Sequence, residues 1–282
     1  MSEKSATALP IEIAGVPVGS GQRLYVIAGP CVLEDPDEML RTAESLAATC
    51  RELGLGYCFK ASYTKDNRTS GSSYRGPGLE EGLALLRRIG GAVGAPVLTD
   101  IHHPHEAAPV GEVAEVLQIP AFMCRQSSLL EAAAATGKVV NVKKGQFLAP
   151  EDMGHVARKL REAGCGRILL TERGSFFGYR DLTVDFRSIG VMRGLGCPVV
   201  FDATHSVQTP GSTGSTTGGR PELVPLLARC GLAAGSDALF LEVHPEPSRA
   251  KSDSGSQLPL EMFPDLIRRL AAWRDLYLEQ EA

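Results

Sequence analysis

The chain has 282 residues, 43% of them hydrophobic, with a net charge of −4 and seven cysteines. That is enough for a sizeable core, and the mild negative charge speaks against a general nucleic-acid or membrane-surface binder. No apolar run reaches membrane-spanning length, MSEKSATALP lacks the apolar segment of a secretory signal, and the unpaired cysteine spacing fits reduced thiols rather than a disulfide framework. Taken in order, Ile11 to Arg23 alternates apolar residues around two glycine-containing turns and predicts a small hairpin. Strands are predicted at 24–28, 56–61, 96–101, 115–119, 139–142, 168–171, 198–201 and 238–243. Helices are predicted at 36–53, 79–89, 104–114, 127–136, 150–163, 183–195, 221–232 and 260–279.

Eight strand–helix units in sequence predict a parallel sheet with helices outside, and eight are what a closed (β/α)8 TIM barrel requires. A doubly wound open sheet is the alternative, but no glycine-rich dinucleotide fingerprint follows the first strand. The expectation is therefore one α/β domain over 1–282, flexible over 1–10, with an N-terminal β-hairpin at 11–23, in the cytoplasm.

Barrel active sites lie where the strands end. In chain order those ends offer Cys31, Lys60, Asp100 with His102, Gln118, Lys143, Arg173, Asp202 with His205, and Glu242 with His244. A purely structural barrel has little reason to converge them, so the pattern predicts an enzyme. The stretch FKASYTKDNRTSGSSYRGPG (59–78) adds Lys65, Arg68 and Arg75 with many hydroxyl donors, a composition suited to phosphate oxygens. A solvated basic loop is its bland alternative. Lys60, Arg125, Lys143 and Arg173 together exceed what a neutral substrate needs; a phosphate plus a carboxylate would balance them. Lys144 follows Lys143, so alternation sends the two to opposite faces.

Cys31, His205, Glu242 and Asp253 offer a mixed S/N/O set that Zn, Fe, Co or Mn would accept, although each alone reads equally as a core or surface residue. The remaining cysteines read as buried small side chains, and His103, His105 and His155 as solvated. The loops 206–220 and 245–257 have the length and Gly/Ser content of lids or binding segments.

Several motifs then converge. IAGPCVLE (27–34), FKASYTKDNRTS (59–70), TDIHHP (99–104), LQIPAFMCRQSSLL (117–130), NVKKGQF (141–147), TERGSFFGY (171–179), VVFDATHSVQ (199–208) and FLEVHPEPSRAKSD (240–253) make the chain resemble the 3-deoxy-D-manno-octulosonate 8-phosphate synthase family. The resemblance covers nearly the whole chain. It implies a homotetrameric TIM barrel that condenses phosphoenolpyruvate with arabinose 5-phosphate for lipopolysaccharide precursor synthesis. It assigns Lys60, Gln118, Ala121, Arg125, Lys143 and Arg173 to phosphoenolpyruvate. Ser62, Lys65, Asn67, Arg68, Thr69 and Asp100 fall to the pentose phosphate, with help from a neighbouring subunit. Lys60, Asp100, His205 and Cys31 are the implied catalytic group. Cys31 after Gly-Pro resembles the metal-dependent branch, which implies a divalent ion on Cys31, His205, Glu242 and Asp253. Thr64 stands where that family commonly has Asp, and Thr69 where Ser is common.

Three rival readings have distinct signatures. A 3-deoxy-7-phosphoheptulonate synthase would use erythrose 4-phosphate and favours Pro-Arg-Thr where this chain has Asn67-Arg68-Thr69. A Schiff-base aldolase would use Lys60 or Lys143 as nucleophile and trap with borohydride. A non-catalytic sugar-phosphate sensor would show no turnover.

Overall fold

The computed structural model describes residues 9–66, 73–176, 181–210 and 218–281. β1 (Ile11–Ile13) and β2 (Val16–Val18) form the expected antiparallel hairpin. Next come β3 (Tyr25–Gly29), β4 (Gly56–Lys60), β5 (Val97–Asp100), β6 (Val116–Ile119), β7 (Val139–Lys143), β8 (Ile168–Glu172) and β9 (Val199–Asp202). After β9, β10 (Gln208–Thr209) and β11 (Gly218–Gly219) make a small ladder of their own; β12 (Ala238–His244) and β13 (Leu258–Pro259) follow. β3 to β9 pair in parallel in chain order, and β12 pairs with both β9 and β3. That double pairing closes the sheet into the (β/α)8 barrel.

The barrel strands are apolar on both faces because both faces are covered; β3, β7, β8, β9 and β12 are buried at every position. Inward residues Tyr25, Ile27, Cys58, Leu98, Val116, Val139, Leu169, Val200, Ala238 and Phe240 form one cluster with Ile13 and Val18 of the hairpin. The hairpin thus plugs the end where the strands begin. Outward residues such as Val26, Phe59, Leu117, Val140 and Leu170 form the larger cluster beneath the helices.

Those helices are α1 (Pro36–Glu52), α2 (Leu79–Val93), α3 (Ala107–Gly111), α4 (Ser127–Ala135), α5 (Met153–Glu162), α6 (Arg187–Arg193), α7 (Val224–Ala233) and α8 (Phe263–Glu281). α1 shows why they form where they do. Asp35 caps it, accepting from the Asp37 and Glu38 amides at 3.1 and 2.9 Å, with Pro36 at the first position and acids in the first turn. Met39, Ala43, Leu46, Ala47 and Cys50 then fall on one buried stripe.

Several boundaries differ from expectation. The helix expected over 183–195 is shorter, because Thr183 instead bridges Ser175 and the Asp185 carboxylate accepts from the Arg187 amide. Four other helices open with a short 3-10 turn at Pro104, Pro150, Pro221 or Leu260. The expectation of flexibility over 1–10 lies almost wholly outside the described residues. Among the described residues, no helix is long and apolar enough to cross a membrane.

Candidate active site

The strand ends meet at the mouth opposite the hairpin. β3 delivers Cys31 through a tight approach: a Cβ at Gly29 would overlap the Lys60 carbonyl oxygen, so glycine is required there. Lys60, from the end of β4, donates through Nζ to the Cys31 carbonyl at 2.9 Å and the Pro30 carbonyl at 3.3 Å. It also pairs with Glu242 of β12, Nζ to Oε1, at 2.5 Å. Lys143, from the end of β7, pairs with Asp202 of β9 and stands 3.2 Å from the centre of the Phe240 ring. The inner apolar cluster therefore ends on an aromatic floor beneath two ammonium groups.

Lys144 takes the opposite face, donating to Ser175 Oγ at 2.9 Å and lying 3.7 Å from Glu172 Oε1. Glu172 accepts in turn from the Arg173 and Gly174 amides and from the Ser188 hydroxyl. That network fixes the turn carrying Arg173. Arg173 is buried; its Nη2 donates to Gln208 Oε1 at 3.1 Å, while its Nη1 has no protein partner. A buried guanidinium nitrogen left open is a place for an anion.

Across the mouth, the Cys31 thiol and the carboxylates of Glu242 and Asp253 lie within 4.8 Å of one another. His205 flanks them, its Nε2 at 3.7 Å from Glu242 Oε1 and 3.9 Å from Asp253 Oδ2. Its other nitrogen lies 2.7 Å from Asp202 Oδ2, an outer carboxylate of the kind that orients metal-binding imidazoles. Glu242 Oε2 is buried without a partner. One thiol, one imidazole and two carboxylates, with an orphaned oxygen among them, fit a borderline divalent ion such as Zn, Fe, Co or Mn. The loop after β12 is seated on this cluster. The Cys31 amide donates to Gln257 Oε1 at 3.2 Å, Gln257 donates to the Ser252 carbonyl at 2.8 Å, and the Lys251 amide donates to Glu34 Oε1 at 2.9 Å.

The pentose-side residues fall beside this group. Ser62 is fully buried, and its amide donates to the Cys31 carbonyl at 3.3 Å while its hydroxyl has no partner. Asp100 is held by His102, Nε2 to Oδ2 at 3.3 Å, and its Oδ1 is unpartnered. Asn67, Arg68 and Thr69 lie outside the described residues. Gln118 is buried and accepts from Asn141 at 3.0 Å, and Ala121 opens the short turn after β6. Arg125 is exposed and, with Asp152, His155, Arg158 and Lys159, lines a separate surface cavity; among the described residues no contact joins it to Lys60, Lys143 or Arg173.

The charges condition one another. Burial pushes the Lys143 ammonium down to about 8 despite the opposing pull of Asp202. Burial works against the charge on Glu242, yet Lys60, His205 and Lys65 outweigh it and hold the carboxyl at about 2. Burial likewise opposes the charge on Lys65, but Cys31, Asp100, Glu242 and Asp253 hold that ammonium above the ordinary lysine value. The Cys31 thiol is pushed well up, first by burial and then by Asp253 and Glu242. A thiol so placed would keep its proton until a bound cation displaced it to solvent.

Sequence reasoning did not find Gln208 or Asn141, and it placed Asp202 at a strand end without a role. Asp202 carried a signal, since it ends a barrel strand three residues before His205. Gln208 carried only its place at the end of the VVFDATHSVQ motif, which says nothing of its partners.

The fold and the site define a closed (β/α)8 barrel with a buried cationic anion site beside a mixed S/N/O donor cluster. The chain belongs to the DAHP synthetase I family, which residues 5–274 match. It is 54% identical to a Synechococcus 2-dehydro-3-deoxyphosphooctonate aldolase over 93% of this chain and 92% of that protein. A protein of the same name from Nitratidesulfovibrio vulgaris is 56% identical over 89% of this chain and 92% of its own length. One from Geobacter is 51% identical over 92% and 95%.

Proposed function

We propose that the protein condenses phosphoenolpyruvate with D-arabinose 5-phosphate and water to give 3-deoxy-D-manno-octulosonate 8-phosphate and inorganic phosphate. The observation that carries this reading is the set of buried cations at the mouth, Lys60, Lys143 and Arg173, beside the cluster of Cys31, His205, Glu242 and Asp253. Relatives more than 50% identical over about nine-tenths of the chain bear the name of that activity.

C3 of phosphoenolpyruvate attacks the pentose aldehyde, forming the new carbon–carbon bond. Water adds at C2, and phosphate leaves by cleavage of its C–O bond. Lys60, Lys143 and Arg173 hold the carboxylate and phosphate, with the open Arg173 Nη1 aimed at the anion, and stabilise charge as it moves. Phe240 excludes water beneath the reacting carbons. Ser62, Lys65 and Asp100 receive the pentose, and Asn67, Arg68 and Thr69 bind the pentose phosphate. Gln118 and Ala121 complete the phosphoenolpyruvate set, and Arg125 joins it only by swinging in from its exposed position. Cys31, His205, Glu242 and Asp253 would hold a divalent ion, which supplies Lewis acidity for a carbonyl or a water when bound. A single domain, a homotetramer with a neighbouring subunit near the pentose phosphate, and a cytoplasmic role in lipopolysaccharide precursor synthesis belong to the same reading; sedimentation analysis checks the assembly.

The test is phosphate release from phosphoenolpyruvate with arabinose 5-phosphate and, separately, erythrose 4-phosphate, before and after chelation. Turnover with the pentose, lost on chelation and restored by a divalent ion, is the expected result. Preference for the tetrose would assign the chain to heptulosonate synthesis instead. Pentose turnover indifferent to chelation would remove the metal from the reading.

A further inference from the structure

Among the described residues, Gln208 bridges Arg173 and Asp253. It is 5% exposed and stands on β10, at the start of the loop after β9. Its Oε1 accepts from Arg173 Nη2 at 3.1 Å, and its Nε2 donates to Asp253 Oδ2 at 3.1 Å, with Ser256 Oγ at 3.5 Å. The amide orientation is dictated by its neighbours. A guanidinium only donates and a carboxylate only accepts, so a flipped amide would oppose like groups at both ends.

The two ends differ in what they leave open. Arg173 Nη1 is buried and unpartnered, so an anion can dock there without displacing Gln208 from Nη2. Asp253 has a φ of 46°, one of two non-glycine positive φ values among the described residues, the other being Ala14 in the hairpin turn. Aspartate tolerates that conformation better than most residues, but it must be held there. The Ser256 amide holds the Asp253 carbonyl at 3.0 Å, and Gln208 holds its carboxylate.

We propose that Gln208 couples the anion site at Arg173 to the donor carboxylate of Asp253, so that filling either site tightens the other. An anion on Nη1 fixes the guanidinium plane, which fixes Oε1 and thereby aims the amide N–H at Asp253. The carboxylate is then already set for a cation, and a bound cation returns the same order to Arg173. Coupling of this kind is reciprocal by linkage. The proposal rests on the phosphoenolpyruvate and metal reading above and adds to it a residue that touches neither reacting atom.

The experiment is a titration of chelator-treated full-length protein with cobalt(II), followed by its visible absorption, with and without saturating phosphoenolpyruvate. The reverse titration, phosphoenolpyruvate with and without cobalt(II), must give the same factor. The wild type is expected to show coupling of about fivefold or more. Gln208→Met, which keeps the length and loses both bonds, is expected to bind each ligand but to fall to about twofold or less, the remainder being attraction between anion and cation. Gln208→Glu, which keeps the acceptor for Arg173 and loses the donor for Asp253, serves if the methionine variant does not fold and is expected to lose the coupling too. A merely structural residue would weaken each affinity and leave their ratio alone. Wild-type coupling retained in the folded variants, or no coupling in a wild type that binds both ligands, would overturn the proposal alone. A wild type that binds no cobalt(II) or no phosphoenolpyruvate would overturn the site reading and the proposal with it.

Discussion

Both ends of this barrel bury charge, and they treat it in opposite ways. At the hairpin end Arg274 of α8 is fully buried and every nitrogen is used. Its guanidinium donates to the carbonyls of Gln22, Ser236 and Gly19 at 3.0 to 3.2 Å and to Asp237 Oδ1 at 3.2 Å. Asp237 Oδ2 meanwhile accepts from the Val199 amide at 2.9 Å. At the mouth, by contrast, Asp100 Oδ1, Arg173 Nη1 and Glu242 Oε2 are buried with no protein partner. Satisfied buried charge fixes the hairpin plug in place, whereas open buried charge is kept for ligands and costs folding stability until they arrive.

The largest expected effect tests the closed end. Arg274→Met leaves Asp237 buried with only the Val199 amide close by and takes the guanidinium from the Gln22 and Ser236 carbonyls, while the Gly19 carbonyl keeps the Gln22 amide. It should cost about 3–5 kcal/mol in urea unfolding, while kcat of the folded fraction stays near wild type. A loss under about 1 kcal/mol would mean the plug is held by Ile13 and Val18 instead.

Lys143→Met tests the open end. Asp202 would keep the Thr204 hydroxyl and the His205 amide on Oδ1, with the His205 ring 2.7 Å from Oδ2, so its carboxylate is not left bare. The expectation is a fall in kcat/KM for phosphoenolpyruvate of about 100- to 1000-fold, roughly 3–4 kcal/mol, with stability within about 1 kcal/mol of wild type. Equal losses in stability at both ends would mean that the mouth and the hairpin end bury charge in the same way.

A pH series sharpens it further. In the folded chain Lys143 releases its proton at about 8, against the ordinary 10.5. The protonated form holds the anion, so phosphoenolpyruvate affinity should be level below about pH 8 and fall by up to tenfold, about 1.4 kcal/mol, for each pH unit above it. For stability the sign reverses. Between 8 and 10.5 the unfolded chain binds the extra proton, so raising pH through that window relieves a cost that the folded mouth carries at neutral pH. Calorimetric titration across the window, repeated on Lys143→Met, should lose both trends.

How much of this the sequence disclosed follows from where each constraint is written. The barrel was legible because strands covered on both faces read as apolar runs, and β7 and β8 stand out even in isolation. The mouth residues were legible because the fold puts catalytic groups where strands end. Partners across the barrel were not. Nothing in the local sequence ties Lys143 to Asp202, Lys60 to Glu242, or Gln208 to both Arg173 and Asp253, since each pair is brought together by closure alone. The Arg274 lock was invisible for the same reason, as two of its acceptors, the Gly19 and Gln22 carbonyls, lie some 250 positions away just after the hairpin. The helix over 183–195 was overread because apolar spacing does not register the Ser175–Thr183 bridge that claims its first turn.

Tyr63 gives the smallest effect and the finest test, because it lies at the mouth yet is paired like a residue of the closed end. Its hydroxyl donates to Glu106 Oε2 at 2.7 Å, and the same oxygen accepts from the His102 and His103 amides at 2.7 and 3.1 Å. Glu106 thereby anchors the backbone of His102, whose ring holds Asp100. Tyr63→Phe leaves Glu106 two donors, so stability should fall by only about 1–2 kcal/mol. If the anchor serves the mouth, KM for arabinose 5-phosphate should rise about three- to tenfold with kcat nearly unchanged, because a loosened Asp100 weakens binding before it touches the chemistry. If stability falls and KM does not move, this network is structural, and the boundary between satisfied and open charge runs between Glu106 and Asp100.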